Sequence, residues 1–161
     1  MQIPTLPINQ VANNFLQWDF TNGIASTTPM KLQKLVYLAH GWHLAIHDAP
    51  LIEEKFEAWP YGPVEEFLYH MFKQFRNNPI NDYAKTWVGG EEKAFVVSPD
   101  NTRFFEVFSR VIQKYGNFSA LQLSALTHQP GTPWSITKAK GESEIPNELI
   151  RDHFRGLVAH G

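Results

Sequence analysis

Residues 29–46, PMKLQKLVYLAHGWHLAI, decide the fold. Thr28 offers an N-cap oxygen, and Pro29 fills the first helical position, where a missing N–H costs nothing. Leu32, Leu35, Ala39, Trp42, His43 and Ile46 share one broad arc at helical spacing, while Tyr37, Leu38 and Leu44 carry apolar cover to other sides. Only a narrow polar strip near Lys31, Lys34 and Gly41 is left. A helix apolar on most sides belongs inside a bundle. Residues 29–46 are therefore predicted to be a central helix, ended by Asp48-Ala49-Pro50.

Outward from it, Val11, Phe15 and Trp18, with Ala12 and Leu16, predict a first helix over 8–20, stopped by Asn22-Gly23. Gly62-Pro63 reads as the start of a third helix, with Pro63 at its first position and Glu65 and Glu66 in its first turn. Val64, Phe67, Leu68, Met71, Phe72 and Phe75 give that helix an apolar stripe, closed by Asn77-Asn78-Pro79. Residues 56–59 read as extended. The periodicity fades over 80–99, where Gly89-Gly90 followed by residues 93–97 reads as a turn and a short strand that could pair with 56–59. Phe104, Phe105, Phe108, Val111, Ile112 and Tyr115 form a fourth helix, and Ser119 with Gln122 matches a capping box for a fifth that ends near His128. Pro133 begins a short helix, and Pro146, Leu149, Ile150, Phe154, Leu157 and Val158 outline a terminal one. The expectation is a mainly α fold: one domain over 1–161, a compact bundle of about six helices with a small β element.

The length of 161 residues suits a single core, and 12 Phe with 5 Trp make that core aromatic-rich. A net charge of −2 gives no global reason to bind nucleic acid or an anionic membrane. The absence of Cys excludes disulfides, thiolate metal sites and cysteine nucleophiles, and suits the cytoplasm. The first seven residues lack the basic region and continuous apolar core of a signal peptide, and no apolar run approaches the ~20 residues that span a bilayer. A soluble, cytoplasmic protein is expected.

Reaction chemistry is thinly represented. His40, His43 and His47 fall within roughly sixty degrees of one another on the second helix, and with His128 they offer a metal-dependent hydrolase reading. No H-E-x-x-H pattern accompanies them, and three ligands on one helix wrap a tetrahedral ion poorly. Ser124 and His128 stand at i, i+4, but no Gly-x-Ser-x-Gly elbow and no orienting Asp goes with them. His128 is expected instead to cap the terminal carbonyls of its own helix. Gly89-Gly90 lacks any phosphate-loop context. No catalytic residue, metal ligand or cofactor is assigned.

Three blocks carry a different signal. They are Lys31-Leu32-Gln33-Lys34-Leu35 with Gly41-Trp42-His43, Ala58-Trp59-Pro60-Tyr61-Gly62-Pro63-Val64, and Leu123-Ser124-Ala125-Leu126-Thr127-His128 with Pro133-Trp134. In this order and spacing the chain resembles the Panacea domain, a family that includes SocA-like antitoxins and phage-associated GepA-like proteins. The resemblance implies a bacterial, phage or prophage protein that is no enzyme and neutralises a cognate toxin, encoded beside it, by direct protein–protein contact. It also implies, as an alternative, an adaptor that delivers a bound partner to a Clp-type protease. The positions it implies for partner binding are Gln33, Lys34, Trp42, Tyr61, Gly62, Pro63, His128, Pro133 and Trp134. The chain departs from the pattern at Pro60, where a polar residue is common, and in the spacer Gln129-Pro130-Gly131-Thr132. Scaffold and contact surface are both open to these residues. Trp134 is expected in the core, with Trp42 as a candidate neighbour, and Tyr61 at a contact.

Overall fold

The computed structural model describes residues 2–23 and 25–160; Met1, Ile24 and Gly161 lie outside the described residues. Seven α-helices form among the described residues: α1 (Ile8–Thr21), α2 (Pro29–His47), α3 (Glu66–Phe72), α4 (Thr102–Tyr115), α5 (Ala120–Thr127), α6 (Pro133–Ala139) and α7 (Asn147–His160). Two antiparallel hairpins accompany them, β1 (Glu57–Trp59) with β2 (Gly62–Val64), and β3 (Thr86–Val88) with β4 (Glu91–Lys93). The mainly α fold with a small β element is what the sequence leads one to expect.

Helix α2 is the axis of the bundle. Every residue from Lys31 to Leu44 is buried, and α1, α4, α5 and α7 pack around it. Thr28 Oγ1 accepts from Lys31 N at 3.2 Å as the N-cap, and Asp48 closes the helix in the left-handed region at φ 52°. Trp42 lies in the core, edge-on to Phe154 of α7, and its indole N–H donates to Tyr115 Oη at 3.2 Å. The expected polar strip is not solvated. Lys31 Nζ donates to Gly116 O at 2.8 Å beneath the surface, Lys34 is 1% exposed, and Gly41 lies against the Phe154 ring. Long stems let lysines cross a helix–helix seam when a carbonyl waits at the end.

The third helix begins later than the sequence suggests. Gly62-Pro63-Val64 is a strand, α3 starts only at Glu66, and its last turn tightens into a 3₁₀ helix over Lys73–Phe75. Pro63 is tolerable in a strand because a two-stranded ribbon has edges that need no N–H there. Glu65, expected inside the first turn, is the N-cap: its Oε1 accepts from Phe67 N at 2.9 Å and its Oε2 from Leu68 N at 2.7 Å. Of the expected stripe, Leu68 and Phe72 are buried and Met71 and Phe75 half-buried, while Phe67 is 59% exposed.

The proposed pairing of 56–59 with 93–97 does not form. β1 pairs with β2, and β4 pairs with β3 across the Gly89-Gly90 turn. The aperiodic stretch before α4 is held instead by two buried asparagines of α1. Asn13 Nδ2 donates to Ala84 O (3.0 Å) and Phe95 O (2.9 Å) and its Oδ1 accepts from Ala84 N (2.8 Å), while Asn14 Oδ1 accepts from Val97 N (2.8 Å). Side-chain amides here replace the ladder that strands would provide.

Candidate partner-binding site

The site is built on the first hairpin. Glu57↔Val64, Ala58↔Pro63 and Trp59↔Gly62 pair, leaving Pro60-Tyr61 as a two-residue turn. Three helices fasten this turn. From α6, Trp134 Nε1–H donates to Trp59 O at 2.6 Å; from α5, Ser124 Oγ–H donates to Tyr61 O at 2.6 Å. From α2, Lys34 Nζ donates to Pro63 O at 3.1 Å, and the Gln33 amide bonds Glu65 both ways, donating to its O at 2.9 Å and accepting from its N at 3.0 Å. On the outer side Ala58 N donates to Ser143 O at 2.7 Å.

Gly62 is required twice over. Its φ of +114° is one that L side chains rarely adopt, and a Cβ there would lie 2.8 Å from Lys34 Cε and 3.1 Å from Thr127 Oγ1. Burial pushes the Glu65 carboxyl up from its ordinary value, and its two amide donors partly hold it down. Burial pushes the Lys34 ammonium down to about 8, with no carboxylate to oppose the shift.

The fastened turn presents Tyr61, 68% exposed. Beside it runs a groove of about 330 Å³ between α2, the hairpin and α3, lined by Met30, Trp59, Tyr61, Leu68, Tyr69 and Phe72 among others. Trp59 and Tyr69 face each other at 5.0 Å. The structure brings seven of the nine motif residues around the turn: Gln33, Lys34, Gly62 and Pro63 are buried, His128 and Trp134 are half-buried, and Tyr61 is exposed. Pro133 lines a separate groove with Tyr37 and Tyr115, and Trp42, buried against Phe154, stands apart from them. Nor does Trp134 pack on it; the Trp134 indole meets the His128 ring at 5.2 Å. Tyr69 and Arg76 also line the groove.

Residues 32–135, a span from α2 into α6 that holds all nine positions, match the family described as antitoxin SocA-like, Panacea domain. The chain belongs to that family. Antitoxin SocA of Caulobacter vibrioides (strain NA1000 / CB15N) is 35% identical over 135 residues, covering 78% of this chain and 71% of that protein. No solved structure matches the chain.

In this Panacea domain the His43 and His47 rings lie 4.9 Å apart, and His40 is turned to another partner. Among the described residues no three His, Cys, Asp or Glu side chains gather as a metal-binding group. His43 Nδ1 lies 2.6 Å from Ala49 O, and His40 Nε2 lies 3.0 Å from Asn147 Oδ1, so both rings serve packing between elements. Ser124 and His128 do not form a nucleophile–base pair either. The hydroxyl donates to Tyr61 O at 2.6 Å, leaving His128 Nδ1 at 3.5 Å. His128 is the C-cap residue of α5, but its ring faces Ser124 and Trp134, with no bond to the helix carbonyls.

His40 makes acid sensitivity predictable. It is fully buried beside Phe56, and its Nδ1 has no partner among the described residues, so a second proton there would have no acceptor. Burial accordingly lowers its pKa to about 4. The unfolded chain binds a proton below its ordinary value of about 6.5 while the native chain refuses it, so stability falls as pH drops from there toward 4. A loss of about 2 kcal/mol is expected by pH 5. Thermal melts of the wild type and His40→Gln between pH 7.5 and 5 would check this; a pH slope unchanged in the variant would exclude His40 as its source.

Proposed function

We propose that this Panacea-domain protein is an antitoxin that neutralises a protein toxin by direct contact in the cytoplasm, using the Pro60-Tyr61 turn and the adjoining groove. The observation that carries the reading is an aromatic side chain held out to solvent on a turn fastened by α2, α5 and α6. A partner that docks there spends little on ordering the surface, because the fold has already ordered it. Aromatic residues in such preorganised settings are the usual interface anchors. On this reading Tyr61 is a contact, Trp134 and His128 flank it, and Gln33, Lys34, Gly62 and Pro63 hold it from beneath.

The direct test is co-expression with the adjacent reading frame. The neighbour alone should arrest growth, this chain should restore it, and the two should co-purify as a stable complex that buries on the order of 1,200–2,000 Å² in total. Normal growth with the neighbour alone and no co-purification would remove the antitoxin reading.

A further inference from the structure

Lys34 is the most unusual charge in the molecule. It is 1% exposed, and its ammonium has one protein acceptor, Pro63 O at 3.1 Å. None of the ion pairs among the described residues includes it. Buried ammonium groups are ordinarily paired with a carboxylate, since leaving one unpaired carries a heavy desolvation cost. Lys34 also lines the groove, and the other charged residue that lines it is Arg76. A chain with net charge −2 therefore has an apolar groove whose charged lining is wholly cationic.

We propose that the groove receives an apolar segment of the partner protein that carries one Asp or Glu, and that this carboxylate pairs with Lys34. The inference rests on the antitoxin reading and names the chemistry of the partner at the same site. An ammonium with three N–H donors and one acceptor can bond a carboxylate without releasing Pro63 O. The four-carbon stem allows the small turn this needs. Trp59, Tyr61 and Tyr69 supply the apolar walls that would shield the pair from water, where a charge-assisted bond is strongest. Arg76, exposed in the turn that follows the 3₁₀ segment, adds a weaker attraction. A nucleic-acid ligand fits less well, because one buried and one exposed cation cannot track a phosphate backbone.

The test measures binding to the product of the adjacent reading frame. Lys34→Met keeps the stem and removes the unpaired charge together with its bond to Pro63 O; the two effects oppose each other, so the variant is expected to fold and melt near the wild-type temperature. It should nevertheless bind that product about 30-fold or more weakly. Among Asp→Asn and Glu→Gln variants of the partner, one should reproduce the loss and add nothing further to Lys34→Met. NMR titration of the Lys34 ε-methylene in wild-type protein gives a second, variant-free readout. The ammonium should titrate near 8 in the free protein, and at about 10 or higher in the complex, where an opposite charge favours its protonated form. A tight wild-type complex with Lys34 titrating as in the free protein would overturn the inference and leave the antitoxin reading standing, as would a folded Lys34→Met that binds like wild type. Absence of any wild-type complex would overturn both, and a complex dissolved by nuclease would assign the groove to nucleic acid and overturn this proposal. Should Lys34→Met fail to fold, the wild-type titration decides alone.

Discussion

A Gly41→Ala variant should melt well below the wild type, although alanine is the better helix former. The substitution gains up to ~1 kcal/mol of helix propensity. Against that, a Cβ on Gly41 would overlap the Phe154 ring. Phe154 cannot step aside freely, because it is 2% exposed and packed edge-on against Tyr37 at 6.0 Å and Trp42 at 5.5 Å. Forcing extra volume into such a seam costs about 3 kcal/mol, sometimes more, and α7 must shift off α2. The net loss of about 2 kcal/mol corresponds to roughly 4–8 °C in Tm. Gly156 of α7 is the matched control, since no heavy atom lies within 4 Å of where its Cβ would stand. Gly156→Ala should raise Tm by a few degrees at most. Thermal melts of the two variants should therefore move in opposite directions, and Phe154→Leu should recover part of the Gly41→Ala loss. Equal shifts for both glycines would show that the α2–α7 seam is softer than its geometry implies.

Tyr61→Ala should do the reverse: lose function and keep stability. The side chain is 68% exposed, so truncation should change the folding free energy by no more than ~0.5 kcal/mol. As an interface anchor it should cost ~2 kcal/mol or more of binding to the neighbour's product. Tyr61→Phe separates the ring from the hydroxyl: a variant that neutralises normally assigns the contact to the ring alone. Trp134→Ala should be worse on both counts. The half-buried Trp134 indole holds Trp59 O at 2.6 Å and packs on His128, so its loss frees the turn as well as a packed surface. Melts read beside growth-rescue assays check all three. A destabilised Tyr61→Ala, or one that neutralises like wild type, would move the contact surface away from the turn.

The extra cost of Trp134→Ala reflects how the site is made. Tyr61 contributes surface, whereas Ser124, Trp134, Lys34 and Gln33 contribute position, each by one or two hydrogen bonds to the backbone of residues 59–65. A motif spread over three distant blocks is what such a site looks like in one dimension. Apart from Gly41-Trp42-His43, which packs elsewhere in the core, the hydrogen-bonded members of the blocks are the turn and the props beneath it, and this explains why much of the motif is buried. Exposure alone would have discarded those positions as core.

Local chemistry was enough to place most of the helices. Thr28-Pro29, the Ser119/Gln122 capping box and Pro133 behind Thr132 mark helix starts that the structure reproduces, because caps and first-turn prolines act over four residues. The all-round apolar character of α2 likewise suffices to place it at the centre. Tertiary structure decided the rest. Gly62-Pro63 followed by Glu65 is equally a helix start and a strand ending in an N-cap, and the choice went to the strand through Gln33 and Lys34, some thirty positions away. Which glycine faces an aromatic ring, and which lysine crosses a seam to a carbonyl, depends on neighbours that periodicity cannot name. Asn13 and Asn14 look like surface residues of an amphipathic helix until the chain from 84 to 97, with its β3–β4 hairpin, folds back over them. Short-range signals are written in the chain because their partners lie within one turn; the partners of the hairpin, the buried lysines and the asparagines exist only once the bundle has closed.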